Sequence, residues 1–540
     1  MSEADDKLFF ILPGAPAPRA ASPQTMGSKA YGLLRLAQLG LPVPPAFVLG
    51  TALCRDYFAA GGRLPDEVSE LLRVGLARLE DATGLRFGSE RAPLLVSVRS
   101  GAPVSMPGMM DTLLNIGLCD TNIGGLLRTT GNPRLVHDCY RRLVRDFMTT
   151  VNAVPATAFD AIAARECAEQ EFTSSRELDS GTLDRIGRES LEVGLAMGSR
   201  PFPQAPLEQL QQAVAAVFRS WQGEKARHYR RINHLSEDMG TAITVQAMVY
   251  GNSGSLSGSG VGFTRDPSTG EDRLYLDFLF NAQGEDVVSG RHTVADTERL
   301  PERLPAVAAE LKRCKGVLEE EFRDVQDFEF TVEAGKLYLL QTRNAKRTPA
   351  AALRVAVDMV RQELITAADA VERLNGLEPE AVERVSLSKR VDVAPLASAV
   401  PAGLGVASGR VVFDIRRAAE LASLGQRVIL VRPDIFTDDI EGIATAEGIL
   451  TAAGGRTSHA AVVARQLGKV CLVGCTALRL RPEKSDCEIG GARIAEGDEL
   501  TLDGNNGSIY LGRLEVVRER PEEELAQLAR WRAAVGAGGS

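Results

Sequence analysis

Two hydrophobic periods alternate along the chain. Residues 27–60 open with a glycine-flanked lysine and a helical run, AYGLLRLAQL, which a Gly-Leu-Pro-Val-Pro-Pro exit terminates. LLVSV at 94–98 reads as a strand that continues into a loop rich in Gly, Ser and Met, to 118. From about 134 to 235 the period is mostly helical, as in LEQLQQAVAAVFRSW. Strand patterns return at ITVQAMVY, GVGFT, LYLDFLF, FEFTV and KLYLLQ. Residues 348–378 read as helices, and 379–403 alternate charge with Pro, Ala and Val, as a connecting segment would. A compact β/α region starts at 404, with strands near GRVVF, RVILV, GILTA and KVCLVG, and closes with ELTLDGNNGSIYLG. The class expected is α/β.

At 540 residues the chain exceeds what one core organises, so two to four domains are expected. A net charge of −9 without a long basic block argues against nucleic acid as a partner. The acidic MSEADDK start and the short apolar LFFIL fit neither a signal core nor a membrane span, so a cytoplasmic protein is expected. Eight scattered cysteines, with no CxxC pair, form neither a disulfide framework nor a zinc pattern.

The sharpest chemical signal is LTAAGGRTSHAAVVARQLGKVCLVG. A strand runs into Gly454-Gly455, and a helix is expected from near Ser458 to Gly468, with His459 in its first turn. Unpaired N–H groups and the positive dipole end suit an anion on that ring, and the glycines let a second reactant approach. Taken alone, the pattern is more often that of a capped helix with a surface histidine, and the flanking glycines and the rest of the chain reverse this.

A second constellation is QDFEFTVEAGKLYLLQTRN. With a three-residue loop, Ala334–Lys336, Glu329 faces Gln341 and Asp327 faces Arg343, all on one side of the pair. A carboxylate beside an amide oxygen suits Mg²⁺, and the arginine suits phosphates bridged by the metal. A two-residue loop would put Glu329 and Gln341 on opposite faces. SVRSGAPVSMPGMMDTLLNIG offers Arg99, Ser100, Gly101, Ser105 and Gly108 to cradle phosphates, and GNSGSLSGSGVGFTRDPSTGE at 251–271 reads as a mobile cover. Lys29 in MGSKAYG lacks the Walker pattern, so it would meet phosphate as a point charge.

These segments in this order resemble the pyruvate phosphate dikinase family, over roughly residues 27–512. The matching stretches include YRRIN, GTAITVQAMVYGN, GVGFTRDPSTGE, NAQGEDVV, LLQTRNAKRT and GGRTSHAAVVARQLGK. The resemblance implies an ATP-grasp nucleotide-binding domain over 1–347 with a helical insertion at about 134–235. A helical segment and linker over 348–403, a swivelling phosphohistidine domain over 404–515 and a tail over 516–540 would follow. It implies that Lys29 and Arg99 hold ATP phosphates and that Gln246, Met248 and Val249 lie in the adenine-contacting strand. By the same analogy Asp327, Glu329 and Gln341 serve Mg²⁺ and nucleotide, and Arg343 assists transfer. His459 matches the phosphorylated histidine, and Thr457 a threonine that is a regulatory phosphorylation site in some members.

In the family the β-phosphoryl group of ATP goes to the histidine, leaving AMP, and the γ-phosphoryl group goes to phosphate as pyrophosphate. A third domain, a TIM barrel of ~250 residues, then phosphorylates pyruvate. Only 28 residues follow Gly512, so the resemblance implies an acceptor site on a separate barrel protein. Arg456 also departs from the Met common in the family. Two other readings stand beside it: a stand-alone small-molecule phosphotransferase resembling rifampicin phosphotransferase, and an inactive binding module. A homodimer is among the assemblies open to the chain.

Overall fold

The computed structural model describes residues 7–104, 106, 110–172, 174–288, 295–435, 440–455, 459–481 and 485–537, and is a mixed α/β structure. It packs as two compact units, Met1–Gly254 with Leu337–Thr342, and Ser255–Lys336 with Arg343–Ser540.

The first unit is built on strands β1 (Leu8–Ile11), β2 (Ala46–Leu49), β3 (Val96–Gly101), β4 (Thr112–Ile116) and β5 (Ala242–Ala247). They stand in the order β1-β2-β5-β3-β4, every neighbouring pair antiparallel. All residues of β2 and β5 are buried, which is why these stretches read as apolar runs rather than alternating ones. Around the sheet lie α1 (Ser28–Gln38), α2 (Asp66–Thr83), α3 (Pro133–Asn152), α4 (Ser180–Met197) and α5 (Pro206–Ser220), the last three within the expected helical stretch. The start of α3 is fixed by Asn132, whose side chain accepts from the Leu135 N–H, and by Pro133 behind it. Gly194 of α4 lets the Met148 side chain of α3 approach, since a Cβ there would stand 3.0 Å from Met148 Cε.

A second sheet holds β6 (Gly258–Phe263), β7 (Tyr275–Phe280), β8 (Gln326–Glu333) and β9 (Lys336–Asn344), in the order β9-β8-β6-β7, all of it in the second unit except Leu337–Thr342 of β9. The GSGVGF sequence of β6 explains the packing of one face. Side chains added at Gly260 and Gly262 would meet the rings of Phe330 and Phe328 at 2.4 Å, so glycine at alternate positions makes room for aromatics from β8. The stretch expected as a mobile cover therefore contains, at 258–263, a buried inner strand. Its alternating apolar residues outweigh its glycines.

The β8–β9 turn corrects a second expectation. Ala334 (φ 48) and Gly335 (φ 80) alone form the turn, both left-handed, so the loop has two residues and not three. Further along, Arg343 meets Asp327, the Gln326 amide donates to Asn344 (2.8 Å), and the Ala345 N–H donates to the Val325 carbonyl (2.8 Å). A two-residue turn cannot reach this register unless β9 takes up one extra residue between Lys336 and Arg343, as a bulge does.

Next come α6 (Pro305–Phe322), α7 (Pro349–Arg361) and β10 (Arg384–Leu387). The β/α region from 397 holds β11 (Ala397–Ser398), β12 (Val400–Gly403), β13 (Val406–Val412), β14 (Val428–Arg432), β15 (Gly448–Thr451), β16 (Val470–Val473), β17 (Glu499–Asp503) and β18 (Ser508–Leu511). Their order is β11-β18-β17-β13-β14-β15-β16-β12, with β13 to β16 parallel. Helix α8 (His459–Gln466) crosses between β15 and β16. Residues 516–537, read from sequence as a tail, form β19 (Val516–Glu519), antiparallel to β10, and α9 (Glu522–Ala537), whose Leu528 is buried in the α7 core. No helix among the described residues is long and apolar enough to cross a membrane.

Candidate active site

In the first unit Gly27 sets the position of Lys29. Its φ of +79° and its closeness to β3, where a Cβ would stand 2.0 Å from the Gly101 carbonyl oxygen, both demand glycine. Ser28 then anchors the helix: its N–H (2.9 Å) and its hydroxyl (3.0 Å) both donate to the Ala102 carbonyl. Lys29 stands in the first turn of α1, its Cβ 3.8 Å from where one on Gly101 would lie. Arg99, half-buried in β3, donates from Nη1 to the Leu340 carbonyl at 3.2 Å. The unit thus puts two long cationic side chains near one strand end.

Gln246 is buried in β5, and its amide donates to the Pro44 carbonyl at 3.1 Å, so it braces the strand. The Met248 N–H donates to Leu95 at 3.0 Å. Met248 and Val249 are half-buried where the strand ends.

In the second unit the face of the β6–β8 sheet opposite the stacked phenylalanines carries acidic side chains among apolar ones. Asp327 and Glu329, two residues apart on β8, share it. Register partners lie on the same face, which adds Phe263 and Tyr275 beside Asp327, and Val261 and Asp277 beside Glu329. Arg343 donates from Nε to Asp327 Oδ2 at 2.7 Å. Burial pushes the Asp327 carboxyl up from its ordinary range and the Glu329 charge adds to this, while Arg343 and Arg465 pull the other way without cancelling it. Arg343 is itself buried enough to lower its basicity, but Asp327 and Glu329 hold its charge more firmly than usual. Gln341, buried two residues before Arg343 in β9, belongs to the first unit.

Helix α8 lies over this face. Before it, Gly455 approaches β7 so closely that a Cβ there would stand 3.2 Å from Asp277 Oδ2. In its last turn Arg465, 2% exposed, holds its guanidinium 5.4 Å from the centre of the Phe263 ring. His459 is the first described residue of α8, which ends before Gly468 (φ 64), and the expected start near Ser458 lies outside the described residues. The His459 side chain, with Ser105, Gly108, Arg456, Thr457 and Ser458, falls outside the described residues.

Residues 63–303 match the model of the pyruvate phosphate dikinase AMP/ATP-binding domain, and 424–507 that of the PEP-utilising enzyme mobile domain. Pyruvate, phosphate dikinase of Clostridium symbiosum is 43% identical over 493 residues, 91% of this chain and 56% of the relative. The chain belongs to the pyruvate phosphate dikinase family. Other members include pyruvate, phosphate dikinase of Entamoeba histolytica, 41% identical over 504 residues (92% and 56%), and the chloroplastic form 1 of Arabidopsis thaliana, 37% over 539 (99% and 56%). The chain spans a little over half the length of these dikinase relatives.

Two residues at the acidic face escaped sequence reasoning. Asp277 is a single charge in LYLDFLF, and only its register against Val261 shows where it points. Arg465 looks in sequence like a cation complementing a helix C-terminus, and nothing local signals its burial.

Proposed function

We propose that this chain charges His459 with the β-phosphoryl group of ATP. A ring nitrogen of His459 bonds to the β-phosphorus, and the bond from that phosphorus to the α,β-bridging oxygen breaks, releasing AMP. An oxygen of inorganic phosphate then takes the γ-phosphoryl group, breaking its bond to the β,γ-bridging oxygen. Pyrophosphate leaves and phosphohistidine remains. The observation that carries this reading is α8, headed by His459, laid over the face that bears Asp327, Glu329 and Arg343.

Lys29 and Arg99 are assigned to the phosphates of ATP and Arg343 to the group in transfer, as fixed positive charges that meet negative charge. Gln246 to Val249 is assigned to the adenine, with Gln246 as a brace rather than a contact. Two carboxylates on one sheet face, one of them half-buried, fit a hard cation that keeps water and phosphate oxygens as its other ligands. By the family resemblance Glu329 and Gln341 are the residues that would hold Mg²⁺, with Asp327 sharing the face of Glu329, and the ion would neutralise phosphate charge. The acceptor that later takes the group is assigned as pyruvate, at a site outside these 540 residues, reached by movement of the mobile domain.

The test is isotopic. With β-labelled ATP the protein acquires label at His459 and releases AMP; with γ-labelled ATP and phosphate the label leaves as pyrophosphate. Undiminished labelling of His459→Ala, or label retained from the γ position in the presence of phosphate, refutes the assignment.

A further inference from the structure

Arg465 has no part in the phosphate chemistry assigned above, yet it is one of the most deeply buried cations in its unit, at 2% exposure. Its Nε donates to the Ala461 carbonyl of its own helix at 3.2 Å, and its guanidinium faces the Phe263 ring on β6. Phe263 is the register partner of Asp327, and Arg465 is among the charges acting on the Asp327 carboxylate. The helix that carries His459 is thus held at its far end by a cation aimed at the residue pair next to Arg343. Ahead of the helix Gly455 lies against Asp277, in the register row of Glu329 with Val261 between them. Helix α8 is about 12 Å long, so a contact in its last turn constrains the direction in which it presents the His459 backbone. A cavity of about 640 Å³ opens beside Arg465, lined also by Ser268, Thr348, Arg354 and Lys469.

We propose that Arg465 is a positioning residue: by seating on Phe263 it aligns the helix of His459 for phosphoryl transfer from ATP. This rests on the function proposed above. Arg465 touches neither nucleotide nor the histidine ring in this role. Its loss should therefore slow transfer and leave nucleotide affinity alone. Misalignment on the ångström scale costs a transfer reaction between about tenfold and a hundredfold.

The experiment is single-turnover formation of phosphohistidine from β-labelled ATP. It is run with wild type, Arg465→Ala, Arg465→Lys and, from the opposite side of the contact, Phe263→Leu. Expected are an Arg465→Ala rate lowered by that factor, partial recovery in Arg465→Lys, a smaller loss in Phe263→Leu, and an ATP Kd unchanged throughout. Amide exchange in Val428–Arg432 and Gly448–Thr451 reports the fold of the β/α region separately. Wild-type rates in Arg465→Ala and Phe263→Leu overturn the proposal. So does slowing in Arg465→Ala alone accompanied by deprotection of those strands, which marks a folding role. Absence of label from wild type itself overturns the function and not the role of Arg465.

Discussion

Gly27→Ala tests whether the GSK segment is a phosphate-binding device or only a helix start. A methyl group there would stand 2.0 Å from the Gly101 carbonyl oxygen, and must retreat by about 1 Å to reach even the shortest contact real side chains show. The backbone, at φ 79° and ψ 152°, lies in a region used almost only by glycine, at a cost of about 1–3 kcal/mol. Overpacking adds about 1–3 kcal/mol. A cheaper escape is to unseat the first turn of α1, which gives up the two Ser28 hydrogen bonds to Ala102 at about 0.5–1.5 kcal/mol each. The variant should take that escape, lose about 1–3 kcal/mol of stability, and carry Lys29 off its position. A charged hydrogen bond to phosphate is worth about 1.5–3 kcal/mol, so ATP affinity should fall by a factor of roughly 10 to 150. Calorimetric titration with ATP measures the second effect. The first is read from the melting of buried Trp221 in a Trp531→Phe background, where it is the single tryptophan. Unchanged melting refutes the geometry; lowered melting with unchanged ATP affinity refutes the role given to Lys29.

Arg343→Ala should reduce His459 labelling by about 10²–10³ and destabilise the protein, because Asp327 is left buried without its partner. Adding Asp327→Asn should restore urea resistance but not labelling, and recovery of labelling would contradict the assignment. Asp138, also buried, pays for its desolvation through Arg141 and Arg142, which hold its carboxyl well below the usual carboxylate range. Since the folded-state value is depressed, this stability is fully present above about pH 4 and is lost as pH falls toward the folded value. Asp138→Asn should therefore cost about 3–5 kcal/mol at pH 7, and the gap to wild type in urea unfolding should narrow below pH 4. Burial pushes the thiols of Cys54 and Cys314 up to about 11 and those of Cys471 and Cys487 up to about 12. At pH 8 a thiol reagent should label half-buried Cys167 first, and peptide mapping that finds Cys471 or Cys487 first would refute this.

Elements whose signal is periodic were legible in the sequence, and contacts between distant elements were not. Strands such as RVILV and KVCLVG, and the helices of 134–235, follow from local pattern because burial of one face dictates both. The hairpin shows the limit. EAGKL was read as a three-residue loop because the expected register of Asp327 and Arg343 requires an odd residue, and the residue is there, but inside β9. Pattern gives parity and cannot say where along a strand the parity changes. GVGFT was read as a strand and the longer stretch around it as a mobile cover, but that its glycines admit the phenylalanine rings of the neighbouring strand shows only once those rings are located.

The proposed transfer to an acceptor requires residues 388–515 to move. The segment between β10 and β19 leaves and returns through one antiparallel pair, Arg384 opposite Glu519 and Leu387 opposite Val516. Glu383 joins the two arms by accepting from Arg518 (3.3 Å) and Arg520 (2.7 Å). These ion pairs are exposed and each is worth little, so they do not lock the pair. The ladder and the docking of α9 on the α7 core tie the two arms together. A rotation of residues 388–515 must therefore turn both arms as one ribbon. Glycine insertions that lengthen a single arm should then hinder movement where matched insertions in both permit it. Pulse-chase of label from His459 to an added acceptor distinguishes the two, and equal transfer from singly and doubly lengthened chains would show that the arms act independently.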